Sequence, residues 1–127
     1  MDEQFLLQRI YRRYESKDLD YKSPVYWDEK DKSLCCGLVK DILAMANSGG
    51  GDIVIGVEEP QSNAFVPVGL SDTQAKSFDT HRLNRFVNKY AEPPINSQVM
   101  RLENGGQTFV VIRVPRFPWM PHICTRA

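Results

Sequence analysis

Residues 45–59 constrain this chain more than any other stretch: Met45-Ala46-Asn47-Ser48-Gly49-Gly50-Gly51-Asp52-Ile53-Val54-Ile55-Gly56-Val57-Glu58-Glu59. A mostly apolar helical pattern stops at Asn47, three glycines turn the chain, and an apolar strand follows. Two carboxylates stand at the strand's end. Acid groups leaving a buried strand are placed where sites are often built.

The length of 127 residues predicts one domain over 1–127, large enough for a single core but with little surplus. Net charge is +0, so any contact with nucleic acid has to come from local basic faces. Three cysteines, two of them adjacent (Cys35, Cys36), make a poor disulfide framework and point to a reducing, cytoplasmic setting. Asp2, Glu3 and Arg9 exclude a secretory apolar region at the start of this sequence, and no apolar run approaches the ~20 residues of a membrane span.

The pattern predicts a mixed α/β (α+β) domain: a mixed sheet packed with about three helices, in two or three layers. Helices are expected over 3–15, 33–47 and 71–90, the last opened by Ser71 or Asp72 and stopped by Pro93-Pro94. Strands are expected over 19–22 and 52–57, with a loop over 59–67. A hairpin over 95–102 and 107–114 should turn at Asn104-Gly105-Gly106. Beyond Val114 the run holding Phe117, Trp119 and Met120 among prolines forms no regular element, which predicts docking on something, or a domain cut from a larger protein.

Three acids carry the candidate chemistry. Glu15 and Asp20 bracket the passage from the first helix to the first strand, and Glu59 ends the glycine-led strand. In an extended segment Asp20 and Lys22 share a face. A carboxylate and a lysine so placed can serve metal-dependent phosphodiester cleavage, the acid holding a divalent ion and the ammonium neutralising phosphate charge. Oxygen ligands suit Mg²⁺ or Mn²⁺. Asp-x-Lys is also a common solvated charge face, and spacing alone does not separate the two readings.

These segments resemble the Schlafen AlbA_2 family, whose members read A-N-S-x-G-G, an apolar strand, then G-V-x-D. Ribonucleolytic Schlafens carry E-S-x-x-x-E-F-K ahead of that second motif. This chain has Glu15-Ser16-Lys17-Asp18-Leu19-Asp20-Tyr21-Lys22 and Gly56-Val57-Glu58-Glu59, with Asp for Glu at 20 and Glu for Asp at 59. The resemblance implies a divalent-metal-dependent endoribonuclease with catalytic Glu15, Asp20, Lys22 and Glu59. The ion, Mg²⁺ or Mn²⁺, would sit on Glu15, Asp20 and Glu59. The implied substrate is tRNA or similar folded RNA, and the implied role a toxin or antiviral effector. As the alternative, it implies a non-catalytic nucleic-acid-binding domain of a bacterial regulator, with DNA also open. Full-length Schlafens pair two related lobes, which implies a homodimer or part of a larger chain.

Two basic stripes fit a nucleic-acid partner: Arg9, Arg12 and Arg13 on the first helix, and Arg82, Arg85 and Lys89, with His81 alongside, on the third. Either stripe can equally be a solvated face. Tyr26 and Trp27 could stack on an unpaired base or cover the sheet edge. ATP is not expected, because the order helix, glycines, strand inverts that of a phosphate cradle. Zinc is not expected either: His122, Cys124, Cys35 and Cys36 match no simple finger, and Cys35 and Cys36 lie on an apolar helix.

Overall fold

The computed structural model describes residues 3–116 and 123–124. Phe117, Trp119, Met120 and His122 lie outside the described residues, and with them the expectation of a docking tail. The order is α1 (Glu3–Ile10), β1 (Leu19–Lys22), α2 (Lys32–Asn47), β2 (Gly51–Ile55), β3 (Val57–Gln61), β4 (Ala64–Pro67), α3 (Asp72–Ser77), α4 (Thr80–Val87), β5 (Ala91–Glu92), β6 (Gln98–Asn104), β7 (Gln107–Val114) and β8 (Ile123–Cys124). The fold is α+β in one domain, as expected, with a mixed sheet in the order β1-β2-β7-β6. β1 runs parallel to β2, and both other pairings are antiparallel.

Period-two alternation divides the core between the two faces of this sheet. Ile53, Ile55, Val110, Ile112 and Val114 face α2, α3 and α4, with Trp27 among them. Val54, Phe109 and Val111 face α1, where Leu6 and Ile10 pack with Val57 and Phe65 of the β3–β4 hairpin. The result is three layers.

The glycine turn forms as its sequence requires. Asp31 caps the start of α2 by accepting from Leu34 N at 3.1 Å, and the helix closes with Ser48 and Gly50 amides donating to the Met45 carbonyl. Gly50 (φ 82°) passes so close to the end of β7 and the residues just after it that a Cβ would stand 2.7 Å from Arg116 N and 2.8 Å from the Val114 carbonyl. At Gly51 a Cβ would collide with the Asp18 backbone, where β1 begins. These glycines dock the helix end against two strands.

Four boundaries differ from expectation. The first helix stops at Ile10 and not at residue 15, because the chain turns out through Arg13 at φ 67°, a left-handed conformation no helix continues. The strand expected over 52–57 breaks at Gly56, φ 120°. The expected loop 59–67 is the β3–β4 hairpin. Asn63 (φ 63°) turns it, and Phe65 is drawn inward against Tyr21 at 5.2 Å between ring centroids. The expected helix 71–90 is two helices. Phe78 and Asp79 are extended, so Phe78 buries against Trp27 while the Asp79 carboxylate accepts from Arg82 N at 2.8 Å and starts α4. Among the described residues the helices therefore number four.

Candidate nucleic-acid and cation site

The open edge of β1 organises the site. Leu19 and Tyr21 point into the α1-side core, which turns Asp20 and Lys22 toward α2. Glu15, in the turn ahead of the strand, accepts from the free Tyr21 amide at 2.9 Å and so occupies the strand's unpaired side. Lys22 Nζ bridges Asp20 (3.2 Å) and Asp41 of α2 (2.5 Å). A groove of about 320 Å³ runs beside them, lined by Glu15, Lys17, Asp20, Asp41, Met45 and Ser48 among others.

The electrostatics are those of crowded like charges. Burial is the largest cause pushing the Glu15 pKa up; a hydrogen bond with the Asp20 carboxyl and the charges of Asp20 and Glu59 add to it. The Tyr21 amide opposes the rise. For Lys22, burial pulls its pKa down, but the Asp41 and Asp20 carboxylates outweigh it and hold it above the ordinary value. Asp20 and Asp41 thus share the Lys22 ammonium, and with Glu15 beside Asp20 the carboxylates here outnumber the ammonium groups of Lys17 and Lys22.

The expected acid set comes together in part. Glu15 and Asp20 meet. Glu59 is exposed on β3 and its Oε2 accepts from Asn63 N at 2.8 Å, closing its own hairpin, although its charge still reaches Glu15. Among the described residues no three His, Cys, Asp or Glu side chains stand close enough to hold a metal ion between them. The Glu15–Asp20 pair alone fits Mg²⁺ chemistry, since that ion commonly takes one or two carboxylates and keeps its remaining positions for water and substrate phosphate. Asp41 is the groove residue that sequence reasoning missed. Its signal was available: Lys40 and Asp41 are the only charged residues between Ser33 and Asn47.

The basic residues divide. Arg9 is turned inward: its side chain is 11% exposed, its Nε lies 3.1 Å from Asp52, and its Nη2 donates to the Asp18 carbonyl at 2.5 Å. Arg113 grips the same Asp52 through two hydrogen bonds of 2.8 and 2.9 Å. Asp52, 2% exposed, was not among the candidates, and neither was Arg113. The Asp18 carboxyl beside them is held below the usual range, first by the Ser16 hydroxyl and then by Arg9, against the opposing effect of burial. Arg12 stacks over the exposed Tyr14 ring at 4.1 Å, and Arg13 is exposed beyond the helix end, so the three arginines form no helical stripe. On α4, Arg82 and Arg85 are exposed, with His81 beside them; Lys89 lies just past the helix with Nζ 5.6 Å from the Phe86 ring centroid.

Trp27 is 3% exposed, wedged edge-on against Phe86 at 5.3 Å, and has no free face for a base. Tyr26 is 50% exposed and its hydroxyl pairs with Thr73 at 3.0 Å. Cys35 is fully buried, its thiol donating to the Asp28 carbonyl and pushed up to about 11, chiefly by burial. No helix among the described residues is long and apolar enough to cross a membrane.

Comparison with known proteins agrees with this architecture. No curated protein matches the chain. Among solved structures it is similar to the N-terminal domain of a Nitrosomonas europaea protein named for its relation to the ATP-dependent DNA helicase RecG. That match has TM-score 0.62 and 18% identity, covering 100% of this chain and 82% of that one. It is also similar to the DIP2311 protein of Corynebacterium diphtheriae, with TM-score 0.56 and 16% identity over 84% of this chain. This chain spans only 19% of that protein's length. At such identities the likeness concerns the fold. The sequence model described as Schlafen, AlbA_2 matches residues 15–126, which include both acid motifs and nearly the whole chain. The chain belongs to the Schlafen AlbA_2 family.

Proposed function

We propose that this domain acts on nucleic acid, and that the groove at the β1 edge is a divalent-cation-dependent endoribonuclease site for tRNA or similar folded RNA. The observation that carries the reading is the meeting of Glu15 and Asp20 in one groove, with the Glu15 pKa raised by burial and by its acidic neighbours. Carboxylates crowded in this way favour a cation between them and a phosphate.

Glu15 and Asp20 would hold the Mg²⁺ or Mn²⁺, with Glu59 adding charge from β3. When bound, such an ion neutralises phosphate charge and lowers the pKa of a coordinated water. Lys22, protonated at neutral pH, reaches a substrate oxygen only as it loosens from Asp41, so Asp41 sets where that ammonium rests. Arg82 and Arg85 on α4 supply the sequence-blind contact with the phosphate backbone. Cleavage of this kind would suit a toxin or antiviral effector in the cytoplasm, working as a homodimer or within a longer chain. Zinc and ATP have no part in it.

A second reading, a non-catalytic nucleic-acid-binding domain, has its own support: Lys22 is already neutralised by two carboxylates, and no three-acid set closes. In this reading the ligand would be DNA or RNA, DNA being suggested by the name of the RecG-related neighbour. One experiment separates the two. Purified protein is incubated with total tRNA in Mn²⁺ or in EDTA, beside Asp20→Ala. The nuclease reading expects cleavage in Mn²⁺ alone, and a loss of about 100-fold or more in the variant with RNA affinity intact. Binding without cleavage in every tube supports the second reading and ends the first.

A further inference from the structure

Beside the acid groove, and sharing Asp41 with it, lies a second cavity of about 210 Å³, bounded by Lys22, Ser23, Val25, Leu34, Leu38 and Ile55 among others. Its surroundings are of two kinds. Val25, Leu34, Leu38 and Ile55 give apolar walls, continuous with the core under α2. Lys22, Asp41 and the exposed Ser23 and Ser33 supply polar groups at its open rim. One part of the wall lacks a side chain altogether: Gly37, in the middle of α2, is a lining residue, and a Cβ built there meets nothing within 4 Å. Glycine costs a helix interior roughly 1 kcal/mol against alanine, and here no neighbouring atom demands it.

We propose that this slot receives one unstacked nucleobase of a single-stranded or looped nucleic acid whose neighbouring phosphate lies in the acid groove. The volume falls below the roughly 300 Å³ at which pockets for drug-sized ligands begin, so the slot suits a fragment of one heterocycle. A nucleobase has the required duality, with two apolar faces and a polar edge. Its faces would lie between the aliphatic walls, and its edge would meet the serine hydroxyls and the Asp41 carboxylate. Because Lys22 and Asp41 stand between the two cavities, the base and the phosphate of adjacent units would be read from either side of one ion pair. Recognition of an extruded base would confine the domain to loops, bulges and single strands, and would leave regular duplex aside.

The inference rests on the nucleic-acid reading above, and its test does not depend on cleavage. Binding is measured, in EDTA, for a hairpin RNA with one unpaired adenine in its loop, and for the same RNA with an abasic site at that position. The partner variant is Gly37→Leu, whose side chain extends into the slot while its helix propensity exceeds that of glycine. Wild type is expected to prefer the adenine-bearing RNA by about tenfold, the scale of a buried base contact. Gly37→Leu is expected to lose that preference and melt no lower than wild type. Adenosine titrated alone should shift the Leu34 and Gly37 amide resonances of the wild type and leave those of Gly37→Leu unmoved. Equal binding of the two RNAs by wild type, or a preference unchanged in Gly37→Leu, would overturn the slot. Absence of cleavage with base preference intact would end the nuclease reading and leave the slot standing.

Discussion

Two charge clusters sit on opposite sides of the same sheet, and they are built to opposite ends. On the α1 side, Asp52 takes hydrogen bonds from Arg113 and an ion pair from Arg9, which is also held by Asp18; two guanidiniums answer two carboxylates. On the α2 side, Asp20 and Asp41 share the ammonium of Lys22 beside an open groove, with Glu15 crowded against Asp20. The first cluster is centred on Asp52, its side chain 3% exposed and gripped bidentately by Arg113, with Asp18 open to solvent at its rim, so its charges serve the fold. The second carries unanswered negative charge at the surface, so it has something left to bind. On the proposed reading, burial and balance, more than residue type, separate the structural ion cluster from the binding one.

The largest effect should come from opening the closed cluster. Asp52→Ala leaves two guanidiniums facing each other without their carboxylate, and is expected to cost about 4 kcal/mol in urea denaturation. Arg9→Ala, which leaves Asp52 still held by Arg113, should cost about 2 kcal/mol. If either variant unfolded like wild type, the contrast between the clusters would be void. Alanine at Asp20 should behave in the opposite way, changing function with a far smaller loss of stability.

Local pattern explains why half of this was legible in the sequence. The glycine turn, β1, α2 and the Gly105-Gly106 hairpin follow from periodicity and positive-φ residues, which neighbours along the chain determine. Arg9 was misjudged because its position on a polar helix face says nothing of Asp52, which reaches it only once β2 is laid beside β1. Trp27 sits in a polar stretch, and its burial depends on Phe78 and Phe86, far along the chain. The break at Phe78-Asp79 was readable in principle, since Asp79 followed by Thr80 resembles a helix start, but the surrounding polar run masked it. Glu15 and Asp20 were legible as a pair. Asp41 stood out only as a charge on an apolar helix; its pairing with Lys22 could not be read, because contact between α2 and β1 is tertiary.

The α4 arginines offer a middle-sized test. Arg82→Ala and Arg85→Ala should each weaken RNA binding and reduce the slope of log affinity against log salt by about 1, with stability within about 0.5 kcal/mol of wild type. Salt slopes unchanged by both would move the backbone contact elsewhere.

The smallest effect is one of pH. The folded pKa of Glu15 is raised above its ordinary 4.5, so the folded state holds this proton more tightly than the unfolded chain. The stabilisation from this group is complete below the ordinary value and is lost as pH rises through the raised one. Glu15→Gln removes that loss. Relative to wild type, the variant's Tm should rise as pH climbs from below the ordinary Glu15 value through its raised one. A constant difference across that range would show that Glu15 is not crowded in the way described.

The most direct measurement is to titrate ¹⁵N-labelled protein with Mn²⁺ and map the paramagnetic broadening. The two-cluster account predicts early broadening at Glu15, Asp20 and Asp41, none confined to Asp52 and Arg113, and its disappearance in Asp20→Ala. Broadening that centres on another surface, or that persists unchanged in Asp20→Ala, would contradict it.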